Sequence, residues 1–236
     1  MLTDMKAKII KYPILLCIVC VVVLSFRSLE PSNTIVSKQC QYKEVYGISV
    51  SGGIIIDYYP IESNNNVLIT GPKNVVAALK IKKDITGILH FEIPGRKKFK
   101  YTSDNQRLHI QISMPSIYQF KAMNGSSINS KNNLCNLNKI IAQAYSNSRI
   151  EFTDIQASKV RFESYTNSEI TASIKSDNCE VQSYTNSIIT LSGSTSHLNG
   201  IASSSIIDAS KLSYERISRT LIDSDKFIHD SSTIHN

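Results

Sequence analysis

Seven carboxylates are scattered through residues 151–208: Glu151, Asp154, Glu163, Glu169, Asp177, Glu180 and Asp208. Hydrolysis of a polysaccharide needs two carboxyl groups at a fixed separation, and elimination needs a base beside a cation. These seven do not recur in step with one another, and Arg149 and Ile188 stand where Glu169 would be repeated. The histidines, His90, His109, His197, His229 and His235, are isolated and form no metal-binding spacing. Serine is abundant but never in a G-x-S-x-G elbow. Gly52-Gly53 is followed by neither a phosphate-loop signature nor a long helix. The sequence therefore predicts no enzyme: no catalytic residue, no metal and no cofactor.

Two groups of residues are better suited to binding or building. Arg96, Lys97, Lys98 and Lys100 surround Phe99 in a basic run. Such a run is a solvated loop or a contact for an acidic surface such as polysaccharide or lipid headgroups. The second group is a repeat. Tyr145-Ser-Asn147-Ser148-Arg-Ile150 recurs as Tyr165-Thr-Asn167-Ser168-Glu-Ile170 and as Tyr184-Thr-Asn186-Ser187-Ile-Ile189. Degenerate copies appear at Met123–Ile128 and Ala202–Ile207. Aligned on Ser127, Ser148, Ser168, Ser187 and Ser205, the intervals are 21, 20, 19 and 18 residues.

A β repeat of that length cannot bury an apolar face alone, so copies must stack, about 4.8 Å apart, into a solenoid. Stacking places like residues over like. Tyr145, Tyr165 and Tyr184 become an aromatic column, and Asn147, Asn167 and Asn186 an amide ladder at a corner, where Asn tolerates left-handed backbone. Ile150, Ile170 and Ile189 then point inward. Each repeat reads as two or more short strands joined by polar turns. The Tyr and Asn positions are structural on this reading; the alternative is an exposed face that grips a glycan.

Upstream, residues 45–120 carry further strand signals. Two β runs flank Ser51-Gly52-Gly53, which is hairpin or bend chemistry. Further strands are expected at 66–70, 85–93 and 107–113, with a short helical turn near 74–80. The composition agrees with an all-β fold: Trp is absent, 42% of residues are apolar and 19% are charged. The five cysteines leave Cys40, Cys135 and Cys179 outside the leading apolar run, which allows one disulfide without naming the pair.

At the amino terminus, Lys6, Lys8 and Lys11 precede an apolar run over residues 14–26. This has the form of an export signal, or of an anchor if it is not cleaved. The formal charge is +7, of which residues 1–28 carry +3 (four basic side chains against Asp4), leaving +4. That balance does not suit nucleic acid. Residues 29–44 read as a linker between a leader at 1–28 and a folded domain at 45–236, most regular at 123–210.

The opening Val45-Tyr-Gly-Ile48-Ser-Val50-Ser-Gly52-Gly53, the segment Val67–Val75 and the serine-rich repeat from Asn124 resemble the GIN domain family of adhesin heads (DUF2807), common in Bacteroidetes. The resemblance spans residues 44–236 and departs from the family where Tyr-Thr-Asn-Ser replaces its usual Gly-Ser-Gly corner. It implies a right-handed parallel β-helix of the pectin-lyase type, a periplasmic or cell-surface location and a role in adhesion. The ligand would be an extracellular or envelope glycan or protein. A self-associating structural protein is the alternative, with a homo-oligomer as its form.

Overall fold

The structure, a computed structural model, describes residues 29–61, 65–95, 99–115, 117–222 and 226–229. The expected leader at 1–28 lies outside the described residues, as do Arg96, Lys97 and Lys98 of the basic run. Among the described residues no helix is long and apolar enough to cross a membrane.

The fold is all-β, a parallel β-solenoid. Its strands are β1 (Ile35–Gln41), β2 (Gly47–Ser51), β3 (Ile55–Pro60), β4 (Asn66–Pro72), β5 (Lys80–Lys83), β6 (Ile88–Glu92), β7 (His109–Met114), β8 (Gln119–Met123) and β9 (Ser127–Ser130). Long strands follow: β10 (Leu134–Tyr145), β11 (Arg149–Tyr165), β12 (Glu169–Tyr184), β13 (Ile188–Ser203), β14 (Ile206–Ile222) and the short β15 (Lys226–His229). One short helix, α1 (Lys73–Ala78), stands between β4 and β5.

The repeat builds long bent strands, not the separate short ones its sequence suggests. In β11 the inward residues are Ile150 and Phe152, then Ile155 and Ala157, then Val160 and Phe162. Strict alternation would keep one parity throughout. It breaks after Phe152 and again after Ala157, so the strand bends twice and the coil acquires three faces. The bends fall at Thr153-Asp154 and at exposed Ser158-Lys159.

The third corner is the Tyr-x-Asn-Ser motif. Ser146-Asn147, Thr166-Asn167 and Thr185-Asn186 all have φ between 55° and 62°. Two successive left-handed residues reverse the chain tightly, and Asn adopts that backbone at lower cost than most residues. The corner's donors bond to the next coil: Asn147 N–H to Thr166 O and Asn167 N–H to Thr185 O, each at 3.0 Å. The buried serines add a rung, since Ser148 N–H donates to Ser168 Oγ (3.2 Å) and Ser168 N–H to Ser187 Oγ (3.3 Å). Strand pairing sets Ser127 opposite Arg149, so the serine equivalent to Ser148 is Ser126, not Ser127. Ser126 Oγ accordingly accepts from the Gly53 and Ile54 amides.

One interior column runs through almost the whole stack. Ile110, Ile56, Ile128, Ile150, Ile170, Ile189 and Ile207 lie in register on successive strands, all essentially inaccessible, and Phe227 follows on β15. A second column reads Leu89, Ile48, Phe120, Ala142, Phe162, Val181 and Gly200. The Phe227 ring occupies the space over Gly200 that a side chain there would need.

These columns show that the amino-terminal half also belongs to the solenoid, out of chain order. β2 and β3 do not pair with each other as a hairpin. Each is sandwiched in a parallel ladder, β2 between β6 and β8, β3 between β7 and β9. The Gly52-Gly53 bend, with φ of 100° and 76°, is a coil corner. The coil containing β6 and β7 is therefore outermost. Beyond it, β4 and β5 run antiparallel to β7 and β6 and cap that end, with Val75 and Ala78 of α1 buried.

Residues 29–44, expected as a linker, supply β1, which pairs antiparallel with β4 from Ile35↔Pro72 to Gln41↔Asn66. Its polar sequence carries no one-sided alternation because only its hydrogen-bonding edge is used, and most of its side chains are exposed. The three cysteines are free thiols: Cys135 is exposed, Cys40 half-buried and Cys179 buried.

Candidate functional site

Straight columns of outward side chains are the solenoid's usable surface, and they fall into three strips. The first lies on the face before the Tyr corner. Tyr145, Tyr165 and Tyr184 stack with centroids 4.9 and 5.0 Å apart and planes within 9°. Lys121 Nζ lies 5.1 Å from the Tyr145 ring centroid, on the preceding coil. Ring faces stacked in this way cover one another. Burial, with help from the Glu163 charge, raises the hydroxyl pKa of Tyr145 and Tyr165.

Beside this column Glu163 is nearly buried, and it accepts from Gln143 Nε2 and Arg161 Nε, both at 2.7 Å. Arg161 also approaches Glu180 at 3.9 Å. The polar groups of this strip are spent on one another. Asn147, Asn167 and Asn186 sit at the corner itself, and among the described residues no side-chain hydrogen bond joins them. Their left-handed backbone accounts for the residue type without an amide ladder.

The second strip is a trough of about 620 Å³ that crosses β10 to β14. It lies over the largely buried column Leu137, Ala157, Ser176, Thr195 and Tyr214. Exposed Gln156, Lys175, Ser194 and Ser213 form one bank, and Ser158, Asp177, Ser196 and Glu215 the other. Five strands at about 4.8 Å give a trough roughly 19 Å long. Hydroxyl and amide groups dominate it, and Ser176 Oγ bonds to Thr195 Oγ1 at 3.0 Å.

The third strip adjoins the second across the Ser158-Lys159 bend. Lys139, Lys159, Asn178, His197 and Arg216 lie in register on β10 to β14. All but Arg216 line a depression of about 400 Å³ that also takes in half-buried Ile141, Asn199 and the Arg161–Glu180 pair. Lys139 Nζ lies 5.3 Å from the Tyr118 ring centroid. Among the described residues no carboxylate comes within ion-pair distance of Lys139, Lys159 or Arg216. Sequence reasoning passed over this row, although its members are spaced 20, 19, 19 and 19 residues apart, the period of the repeat.

A larger depression, about 890 Å³, lies at the Gly52-Gly53 corner near the basic run. Its cation is committed, because Arg107 donates to the carbonyls of Gly53 and Gly125 and pairs with Asp104. Lys100, the described member of the predicted basic run, is exposed, and its amide donates to Leu29 O at 3.0 Å.

Among the described residues the acidic side chains of the repeat are not brought into pairs. In the recorded pairings Glu151 faces Asn129 and Thr171, Glu163 faces Gln143 and Gln182, Glu169 faces Arg149 and Ile188, and Glu180 faces Arg161 and Asn199. No two of these carboxylates are cross-strand neighbours. Asp84 accepts from His90 Nε2 (2.8 Å) and Thr86 Oγ1 (2.7 Å), and these bonds, with the Ile88 amide, hold its carboxyl far below the usual range. Both partners bond the carboxylate and not each other, so the trio is a turn brace without a nucleophile–base contact. Among the described residues no group of three His, Cys, Asp or Glu side chains could hold a metal.

Comparison with known proteins agrees with the architecture. A crystal structure of "a putative adhesin" from Bacteroides fragilis superposes with a TM-score of 0.61 at 15% identity, over 86% of this chain and 98% of that one. One of a "putative lipid binding protein" from Parabacteroides distasonis has a TM-score of 0.65 at 12% identity, over 85% and 84%. A third, of "a putative adhesin" from Parabacteroides merdae, gives 0.52 at 10% identity, over 86% and 99%. At such identities the likeness is one of fold. No curated protein sequence matches the chain. Residues 46–221 match the family described as "Putative auto-transporter adhesin, head GIN domain", and the chain belongs to that family.

Proposed function

We propose that the protein is a non-catalytic binding module of the cell envelope, exported by its amino-terminal segment, that holds a linear ligand along the side of the solenoid. The observation that carries this is the polar trough over β10 to β14. It is long, open, lined by hydroxyl and amide groups, and built from strands that a rigid stack holds in place. A polymer laid along it meets equivalent side chains at each rung, so many weak contacts add without ordering a loop. Glycans suit such a lining because their hydroxyls need donors and acceptors in alternation. Membership of an adhesin-head family supports the same reading.

The test is steric. Gln156→Trp and Ser194→Trp place large side chains on one bank of the trough while leaving the interior columns intact. Binding of the purified chain to an array of envelope polysaccharides should fall at least tenfold in both, with an unchanged thermal midpoint. Undiminished binding by both variants would remove the trough from consideration.

A further inference from the structure

We infer that the basic row beside the trough recognises an acidic polysaccharide, laid along the solenoid axis so that its anionic groups meet successive rungs. The inference rests on reading the lateral surface as a binding site, and it adds the charge of the ligand.

The first argument is register. Lys139 stands directly opposite Lys159, in one continuous row with Asn178, His197 and Arg216. Like charges in direct cross-strand opposition weaken a sheet. The two arginines on neighbouring columns do have acidic neighbours: Arg149 approaches Glu151 and Glu169, and Arg161, in the lining of the same depression, approaches Glu163 and Glu180. The basic row lacks such partners among the described residues, although Lys159 and Arg216 are exposed. An external anion would supply the missing counter-charge.

The second argument is shape. The row follows the Ser158-Lys159 bend, and a concavity opens on one side of it. This is the depression of about 400 Å³, with half-buried Ile141 in its floor and, around it, Asn178, Asn199 and the Arg161–Glu180 ion pair, whose charges offset each other. A pyranose ring presents C–H groups on its faces and hydroxyls on its edge, which call for apolar contact and for amides respectively. Rungs about 4.8 Å apart are comparable in spacing with sugar units along a chain. A planar bilayer could reach the outer charges but not the floor, so the concavity favours polysaccharide over lipid headgroups.

The experiment measures binding of the full-length chain to polygalacturonate, to its methyl-esterified neutral form, to dextran and to phosphatidylglycerol vesicles. Polygalacturonate should bind, and the methyl ester at least tenfold more weakly. The double variant Lys159→Glu, Arg216→Glu should lose more than tenfold in affinity for polygalacturonate with an unchanged thermal midpoint. The equal charge change at Lys38→Glu, Lys73→Glu, on β1 and α1, should alter it less than twofold. Equal binding of acid and ester, or of dextran, overturns the basic-row proposal while leaving the trough in place. Equal losses in the two double variants reduce the effect to net charge and also overturn it. Binding to vesicles alone overturns it in favour of a membrane contact, and binding to none of the four overturns it together with the glycan reading beneath it.

Discussion

Downstream of Met123 each coil hydrogen-bonds to the coil that follows it in the chain, as where the Ser148 amide reaches Ser168 Oγ twenty residues on. Upstream, the Gly53 amide finds its partner, Ser126 Oγ, 73 residues away. Both regions share the same interior columns, so the difference is one of route. The downstream coils are closed by short-range contacts and a repeated corner. The upstream coils are laid down out of order and held by a cap. Periodicity is needed only in the first case, which is why the amino-terminal half shows none.

Four measurements would break or sharpen this contrast. The largest effect is expected at the seam. Phe120 touches Tyr58 on one side and Phe152 on the other, with ring centroids 5.5 and 5.1 Å away. Phe120→Ala should cost about 3–5 kcal/mol in urea denaturation. A single transition in that variant keeps the two regions one cooperative unit, whereas two transitions would separate them.

Next come two glycines. Gly193, at φ 99°, lies so close to the Ile174 carbonyl that a Cβ cannot enter without backbone movement. Gly125, at φ 73°, has nothing within 4 Å of that position. Gly193→Ala should therefore cost about 2–3 kcal/mol and Gly125→Ala about 1 kcal/mol, both read from chemical denaturation. Equal losses would mean that backbone strain alone decides both sites.

Alkaline titration addresses each region with its own buried acid. Burial pushes the Tyr58 hydroxyl from 10.0 to about 12, and burial together with the Glu180 charge pushes the Cys179 thiol from 9.0 to about 12. The unfolded chain ionises first, so the stability these groups contribute is complete below pH 9 and falls as pH rises towards 12. Tyr58→Phe should blunt the fall above pH 10, and Cys179→Ala the fall that starts near pH 9, both followed by thermal midpoint. A flat midpoint from pH 8 to 12 in the unaltered protein would contradict both shifts.

The smallest effect concerns the corner. If Asn167 is there for its left-handed backbone, Asn167→Gly should change stability by only a few tenths of a kcal/mol and Asn167→Ala should cost about 1 kcal/mol. A loss at Gly as large as at Ala would restore a role for the side-chain amide.

What could be read in advance follows from the same contrast. The Tyr, Asn and Ile positions at 145–189 were visible because stacking repeats them at nearly constant intervals. Ser126 was misplaced by one residue because its copy begins with Met123-Asn-Gly and has two serines, Ser126 and Ser127, where the copies at 148, 168 and 187 have one. β1 was hidden because an edge strand with only Val36 and Cys40 half-buried has no hydrophobic alternation to display. β2 and β3 looked like a hairpin because a Gly-Gly bend and a solenoid corner use the same backbone chemistry. The basic row was within reach of the sequence. Its members recur with the period of the repeat, but basic residues were sought as a contiguous run at 96–100, and a stack brings together residues twenty apart.

The cap has a consequence for how such a protein changes length. β4, α1 and β5 close the outer end, and the coil beneath them, β6 and β7, lies between that cap and the β2–β3 coil, both of which precede it in the chain. A duplicated repeat inserted there would have to be accommodated by three non-adjacent segments at once. At the other end, a segment of about nineteen residues copied between β12 and β13 needs only its two neighbours. Lengthening by gene duplication is thus open in one direction, and each added coil would extend the trough by one rung.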